Sequence, residues 1–186
     1  IFTSQGDDTL VGGKGNDLLY GGSGNDTYKY GENDGVDVIY DSEKNNTDPT
    51  LFSYENEIHL SNLSAGDDTL EFTSANITKD NIIVRAEGTN LVIGIKEEGV
   101  SFLNLPNKIT LKNWLDKNHR VEQIKFANGE IISPDLLQIP TEDNDYLIYG
   151  DSDLTVDLLD GNDIAYFGDG NNNINLNDGD NIITLG

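Results

Sequence analysis

The chain has 186 residues, 34 acidic against 11 basic side chains, a net charge of −23, and neither cysteine nor methionine. That balance argues against nucleic acid and anionic membrane surfaces as partners, because their phosphates would be repelled, and it leaves no disulfide to staple the fold. No stretch is apolar enough to span a bilayer, so no membrane insertion by this segment is expected.

Residues 12–29 read GGKGNDLLYGGSGNDTYK, two consecutive nine-residue units of the form G-G-x-G-N-D-x-hydrophobic-x. The first six residues of each unit make a turn, in which glycine permits positive φ and close approach of the backbone to an ion. The last three make a short strand whose middle residue, Leu19 or Tyr28, points inward. Turn carbonyls and aspartate carboxylates are hard oxygen ligands suited to Ca²⁺, and a nonapeptide of this form specifies a calcium-dependent parallel β-roll. A weaker copy at 3–11 keeps Gly6, Asp8 and Leu10 in phase, and a copy at 32–40, after the insertion of Tyr30 and Gly31, keeps Gly35, Asp37 and Ile39. One coil takes two units, so stacked turns lie two units apart. One calcium is expected between the turns of Asp8 and Asp26 and another between those of Asp17 and Asp37. Gly6, Gly13, Gly15, Gly22, Gly24 and Gly35 complete the ligand set.

Residues 41–140 do not repeat. A polar loop is predicted at 41–50, with a turn at Asp48-Pro49. Short β-branched strands follow at 57–60, 69–72, 82–85, 91–96, 100–104 and 108–111. A helical turn is predicted at 112–117 with Trp114 and Leu115 inward, then a strand at 121–126, a tight hairpin turn at Asn128-Gly129, and a short helix at 135–138 started by Ser133-Pro134. The succession G-G-x-G-N-D-x-Y, DGVDVIYD, DDTLEF, NLVIGI, ITLKNWL and HRVEQIKFANGEII over about residues 6–138 resembles the calcium-binding repeats-in-toxin (RTX) proteins and the haemolysin-related domain that follows their repeats. The resemblance implies that this segment caps the roll, with Trp114 as a core anchor. It also implies a larger RTX polypeptide, a toxin or adhesin, exported by type I secretion to the outside of the cell or its surface.

A second nine-residue period fills 144–186, with DGND, DGNN and DGDN starting at 160, 169 and 178. Leu147, Val156, Ala165, Ile174 and Ile183 form one apolar column, and Leu158, Phe167, Leu176 and Leu185 another. The ligand position runs Asp145, Leu154, Asp163, Asn172, Asn181. Asp145 and Asp163 are candidate calcium ligands. The asparagines, with one neutral oxygen each, either bind calcium weakly or form stacked ladders between coils.

The expected fold is therefore all-β: β-roll blocks at 1–40 and 141–186 flanking a small, mainly β cap at 41–140 with one or two short helices. The sequence starts and stops within a repeat phase, as expected of a piece of a longer protein. No enzyme site is predicted. His59 and His119 have no zinc partner at usable spacing, and no serine stands in a G-x-S-x-G elbow. Two further roles stay open beside calcium-driven folding. One is glycan binding through Tyr146, Tyr149, Tyr166 and the asparagines at 171–173; the other is self-association into a surface assembly.

Overall fold

The computed structural model describes residues 1–3, 5–41 and 66–186. The strand expected at 57–60, His59, and the loop at 41–50 beyond Asp41 lie outside the described residues. Those described are all-β apart from 3-10 turns at Lys79–Asn81, Phe102–Asn104, Lys117–His119 and Pro134–Leu137.

The repeats supply β1 (Thr9–Val11), β2 (Leu18–Tyr20), β3 (Thr27–Tyr30) and β4 (Val36–Tyr40). The following segment supplies β5 (Thr69–Phe72), β6 (Ile82–Glu87), β7 (Asn90–Ile95), β8 (Lys108–Leu111), β9 (Gln123–Lys125) and β10 (Ile131–Ile132). The turns throw alternate strands onto opposite sheets, ordered β1-β3-β5-β9-β10 and β2-β4-β8-β7-β6. Pairing is parallel from β1 to β9 in the first sheet and from β2 to β8 in the second. Alternate residues of the stacked strands face inward. Leu10, Tyr28, Leu70 and Ile124 thus stack in one column, and Leu19, Ile39 and Leu111 in the facing one. All seven are 2% exposed or less.

The parallel order ends in antiparallel pairs, β6 with β7, β7 with β8, and β9 with β10. Tight turns make these possible. Gly88 closes one hairpin at φ 62°, and Gly129, at φ 87° with its N–H on the Phe126 carbonyl, closes the other at the expected Asn128-Gly129 turn.

Two expectations are corrected. The predicted strand at 100–104 is a 3-10 turn, in which the Asn104 N–H bonds to the Ser101 carbonyl. Phe102 drops into a small cluster with Val92 and Leu105, and Leu103 stays 77% exposed. The predicted helices are single turns too short for the i→i−4 bonds of an α-helix. At 112–117 the chain is broken by Asn113 at φ 54°. Trp114 nevertheless turns inward as expected, 1% exposed with its indole N–H on the Val121 carbonyl at 3.0 Å.

The second array supplies β11 (Tyr146–Ile148), β12 (Thr155–Asp157), β13 (Ile164–Phe167), β14 (Asn173–Asn175) and β15 (Ile182–Leu185). They form two parallel sheets, β11-β13-β15 and β12-β14. The first predicted column divides between the sheets, Leu147–Ala165–Ile183 in one and Val156–Ile174 in the other. Leu176 and Leu185 of the second column are exposed. A clasp joins the array to the preceding segment. The Gln138 amide brackets the Ile148 backbone, Asp135 accepts from the Gly150 N–H at 3.1 Å, and Arg120 pairs with Asp151 at 3.0 Å.

Turn stacking is tightest at glycine. A Cβ on Gly66 would lie 1.9 Å from the Gly24 carbonyl oxygen, whereas one on Gly88 would meet nothing within 4 Å. Gly66→Ala is expected to cost about 3 kcal/mol by overpacking a backbone contact, and Gly88→Ala roughly 1 kcal/mol through its left-handed φ alone. Denaturant unfolding of both variants in saturating calcium measures the difference.

Candidate metal centre

The turns stack by a repeated hydrogen bond in which one carboxylate oxygen accepts the backbone N–H of the aspartate one coil earlier. Asp26 Oδ1 accepts from the Asp8 N–H at 2.9 Å, Asp68 Oδ1 from Asp26 at 2.6 Å, and Glu122 Oε2 from Asp68 at 2.7 Å. On the opposite side Asp37 Oδ1 accepts from Asp17 at 3.0 Å. In the second array Asp163 Oδ1 accepts from Asp145 at 2.9 Å, and Asn181 Oδ1 from Asp163 at 2.8 Å. The two pairs expected from the sequence, Asp8 with Asp26 and Asp17 with Asp37, are therefore brought into register.

This arrangement uses one oxygen and strands the other. Oδ2 of Asp17, Asp26, Asp37 and Asp163 is buried without a hydrogen-bond partner. An unpaired buried charge is costly, and a hard cation is the partner such an oxygen fits. The glycines of these turns adopt left-handed backbone, Gly6, Gly13, Gly15, Gly22, Gly24 and Gly35 all having φ between 79° and 131°. Asp145 differs from Asp163, since its carboxylate is engaged by the N–H and hydroxyl of Thr141.

Of the two asparagines at the ligand position, Asn181 stacks on the Asp163 N–H, whereas Asn172 bonds within its own turn to the Gly170 carbonyl; ladders between side chain and backbone run instead through neighbouring asparagines. Asn25 accepts from the Asp67 N–H, Asn144 from Asn162, and Asn162 from Asp180, each at 2.8 Å. Leu154 packs on the apolar cluster of the second array. Of the aromatics proposed for a sugar face, Tyr149 is buried and stacked on Phe167 at 4.8 Å, and Tyr146 lies half-buried against Tyr166.

The acids converge most closely at Asp26, Asp41 and Asp68. These are 1%, 5% and 2% exposed, with a carboxylate oxygen from each within 4.8 Å of the others. The Tyr28 hydroxyl donates to Asp41 Oδ1 at 2.8 Å. Sequence reading missed Asp41, Asp68 and Glu122. The signal for Asp68 was present, because residues 66–70 repeat residues 6–10 as GDDTL.

Burial pushes these acids upward. Asp37 rises from 3.8 to about 6 and Glu122 from 4.5 to about 7, chiefly by desolvation. Asp26 is raised by burial and by Asp8 and Asp7. Asp41 and Asp68 are raised by burial first, then by neighbouring carboxylates.

Comparison with known families agrees with this geometry. Residues 1–32 match the RTX calcium-binding nonapeptide repeat, and residues 90–135 the haemolysin-type calcium binding protein related domain. The chain carries RTX repeats followed by a haemolysin-related domain. The chromosomal haemolysin of Escherichia coli is 36% identical over 70 residues, and the plasmid haemolysin 34%. The aligned part covers 34% of this chain but 7% of either relative. The RTX repeats and the buried Asp26–Asp41–Asp68 cluster fit Ca²⁺ as the cofactor. Among the described residues, no helix is long and apolar enough to cross a membrane.

The raised acidities give calcium binding a pH dependence. With calcium chelated, folded Asp37 and Glu122 hold protons that the unfolded chain has already lost, so stability falls as pH rises from about 4 to about 7. Calcium bound at Asp37 must displace its proton. Its midpoint should therefore fall with rising pH, each displaced proton contributing up to roughly tenfold per pH unit below the folded pKa. Calorimetry at pH 5.5 and 7.5 in buffers of different ionisation heat should detect more proton release at the lower pH than at the higher, where Asp41, raised to about 9, still holds its proton.

Proposed function

We propose that this chain is a calcium-stapled β-roll module of a secreted or surface-exposed bacterial protein, unfolded at cytosolic calcium and folding once calcium is met outside the cell. The observation that carries this reading is the set of stacked turn carboxylates whose second oxygens are buried and unpartnered. Asp8 with Asp26, and Asp17 with Asp37, each share a calcium with the carbonyls of the intervening glycine turns. Asp163 is the strongest candidate in the second array, with Asp145 beside it.

Residues 1–40 are the repeat roll on this reading, 41–140 its cap, and 141–186 a second roll. The antiparallel pairs of β6, β7 and β10 support the capping role, because they end the parallel addition of coils. The mechanism is linkage. Extracellular calcium sites commonly have dissociation constants of about 10⁻⁴–10⁻³ M, and a site at ten times its constant adds roughly 1.4 kcal/mol to the folded state. Several coupled sites make a switch. An unfolded chain is also one that type I secretion can thread outward, which suits a module within a toxin or adhesin.

Far-ultraviolet circular dichroism during a calcium titration of the chelated chain tests this, with magnesium as control. A cooperative coil-to-β transition in calcium alone is expected, and Asp17→Ala should raise its midpoint. A chain equally β-rich in chelator would overturn the switch. An unchanged midpoint in Asp17→Ala would remove Asp17 from the ligand set.

A further inference from the structure

We infer that Asp41 is a third carboxylate ligand at the stacked turns of Asp26 and Asp68, so that one calcium ion there joins the end of the strand Val36–Tyr40 to the turn before Thr69–Phe72. The inference rests on the calcium reading above and adds a residue outside the repeat's own ligand positions. Tyr20 and Tyr40 are register partners. Asp41 therefore occupies the place that Gly21, the first glycine of its turn, holds one coil earlier. A Cβ at Gly21 would collide with Asp26 Oδ2 and the Tyr28 hydroxyl. One coil on, the carboxylate of Asp41 approaches the same hydroxyl from the other coil and takes its hydrogen bond.

Three features make this a binding geometry. Oxygens that share one calcium at 2.3–2.6 Å lie at most about 5 Å apart, and one from each of Asp26, Asp41 and Asp68 falls within 4.8 Å of the others. Asp26 Oδ2 is buried there without a partner. The Tyr28 hydroxyl fixes Asp41 through Oδ1, and the carboxyls of Asp41 and Asp68 meet in a side-chain hydrogen bond that an ion between them would replace. Calcium affinity follows ligand charge, so three carboxylates should fill before the two-carboxylate turns. Asp41 immediately precedes residues 42–65 and Asp68 lies just after them. An ion held by both aligns β5 on β3.

Asp41→Asn tests the assignment, since it keeps the shape and the acceptor for Tyr28 while removing the charge. Calcium affinities come from competition with a chromophoric chelator, and strand order from amide exchange of β5 at graded calcium. The tightest site should weaken at least tenfold, and β5 protection should move to higher calcium while saturating calcium still restores the fold. A purely structural acid would give no such loss, because neutralising it relieves buried repulsion. If calcium still folds the protein but affinities and β5 protection are unchanged in Asp41→Asn, Asp41 is not a ligand and the repeat sites stand alone. If the unaltered chain binds no calcium, the underlying reading fails first. Should Asp41→Asn not fold, Tyr28→Phe is expected to weaken the same site several-fold without touching the others, and an unchanged tightest site there would overturn the inference.

Discussion

The fold stacks like charges. Each turn carboxylate reaches one coil back to a backbone N–H beside another aspartate, so the bond that fixes the register also brings negative groups together. Two carboxylates about 6 Å apart at an effective dielectric near 20 repel by roughly 3 kcal/mol. The protein's own cations do not relieve this. Among the described residues, Lys29 and Lys125 pair with Glu71 and Lys79 with Glu130, away from the turns that carry the repeat aspartates, and Arg120 reaches one turn acid of the second array, Asp151. A divalent ion suits the unpartnered oxygens and the repulsion together, and for this reason composition, turn glycines and sheet register belong to one argument.

Where the repeats are contiguous, sequence was enough to read both pairings and both phases. A fixed period leaves the backbone one way to stack, and the insertion of Tyr30 and Gly31 only lengthens one interval, so that Asp17 meets Asp37. The reading weakened where units stop being neighbours. GDDTL at 66–70 repeats residues 6–10, yet a search for adjacent copies passes over it, and its two aspartates look like one more acid pair in an acid-rich chain. Its place is set by three-dimensional stacking on Gly24 and Asp26. Glu122 was harder still, because it occupies the ladder position without a glycine turn before it. Asp41 had no local signal at all. Its role depends on Tyr28, thirteen residues earlier, reaching it across the core. The strand expected at 100–104 failed for a different reason, since burying Phe102 in a satellite cluster outweighed β propensity.

The two sides of the first block are not equivalent. On one side the acids continue through Asp8, Asp26, Asp68 and Glu122. On the other, Asp17 and Asp37 are followed by Ile109, an apolar residue at the next register position. Charge, and with it the demand for a cation, is concentrated along the sheet that carries β1, β3, β5 and β9. It falls again in the second array, where Asp163 gives way to Asn181 and the facing position holds Leu154 and then Asn172. A neutral amide at these positions gathers less charge than a carboxylate, although only Asn181 takes up the stacking bond, to the Asp163 N–H, while Asn172 leaves its Oδ1 buried and unpartnered. Its first strand still leans on the preceding segment. Ile148 packs into the main core, and Gln138, Asp135 and Arg120 hold the backbone and side chain just beyond it. Those three contacts all come from the segment whose β5, β8 and β9 stack on the repeat strands. The second array is thus joined through its first strand to the same core and the same segment on which the repeat strands stack.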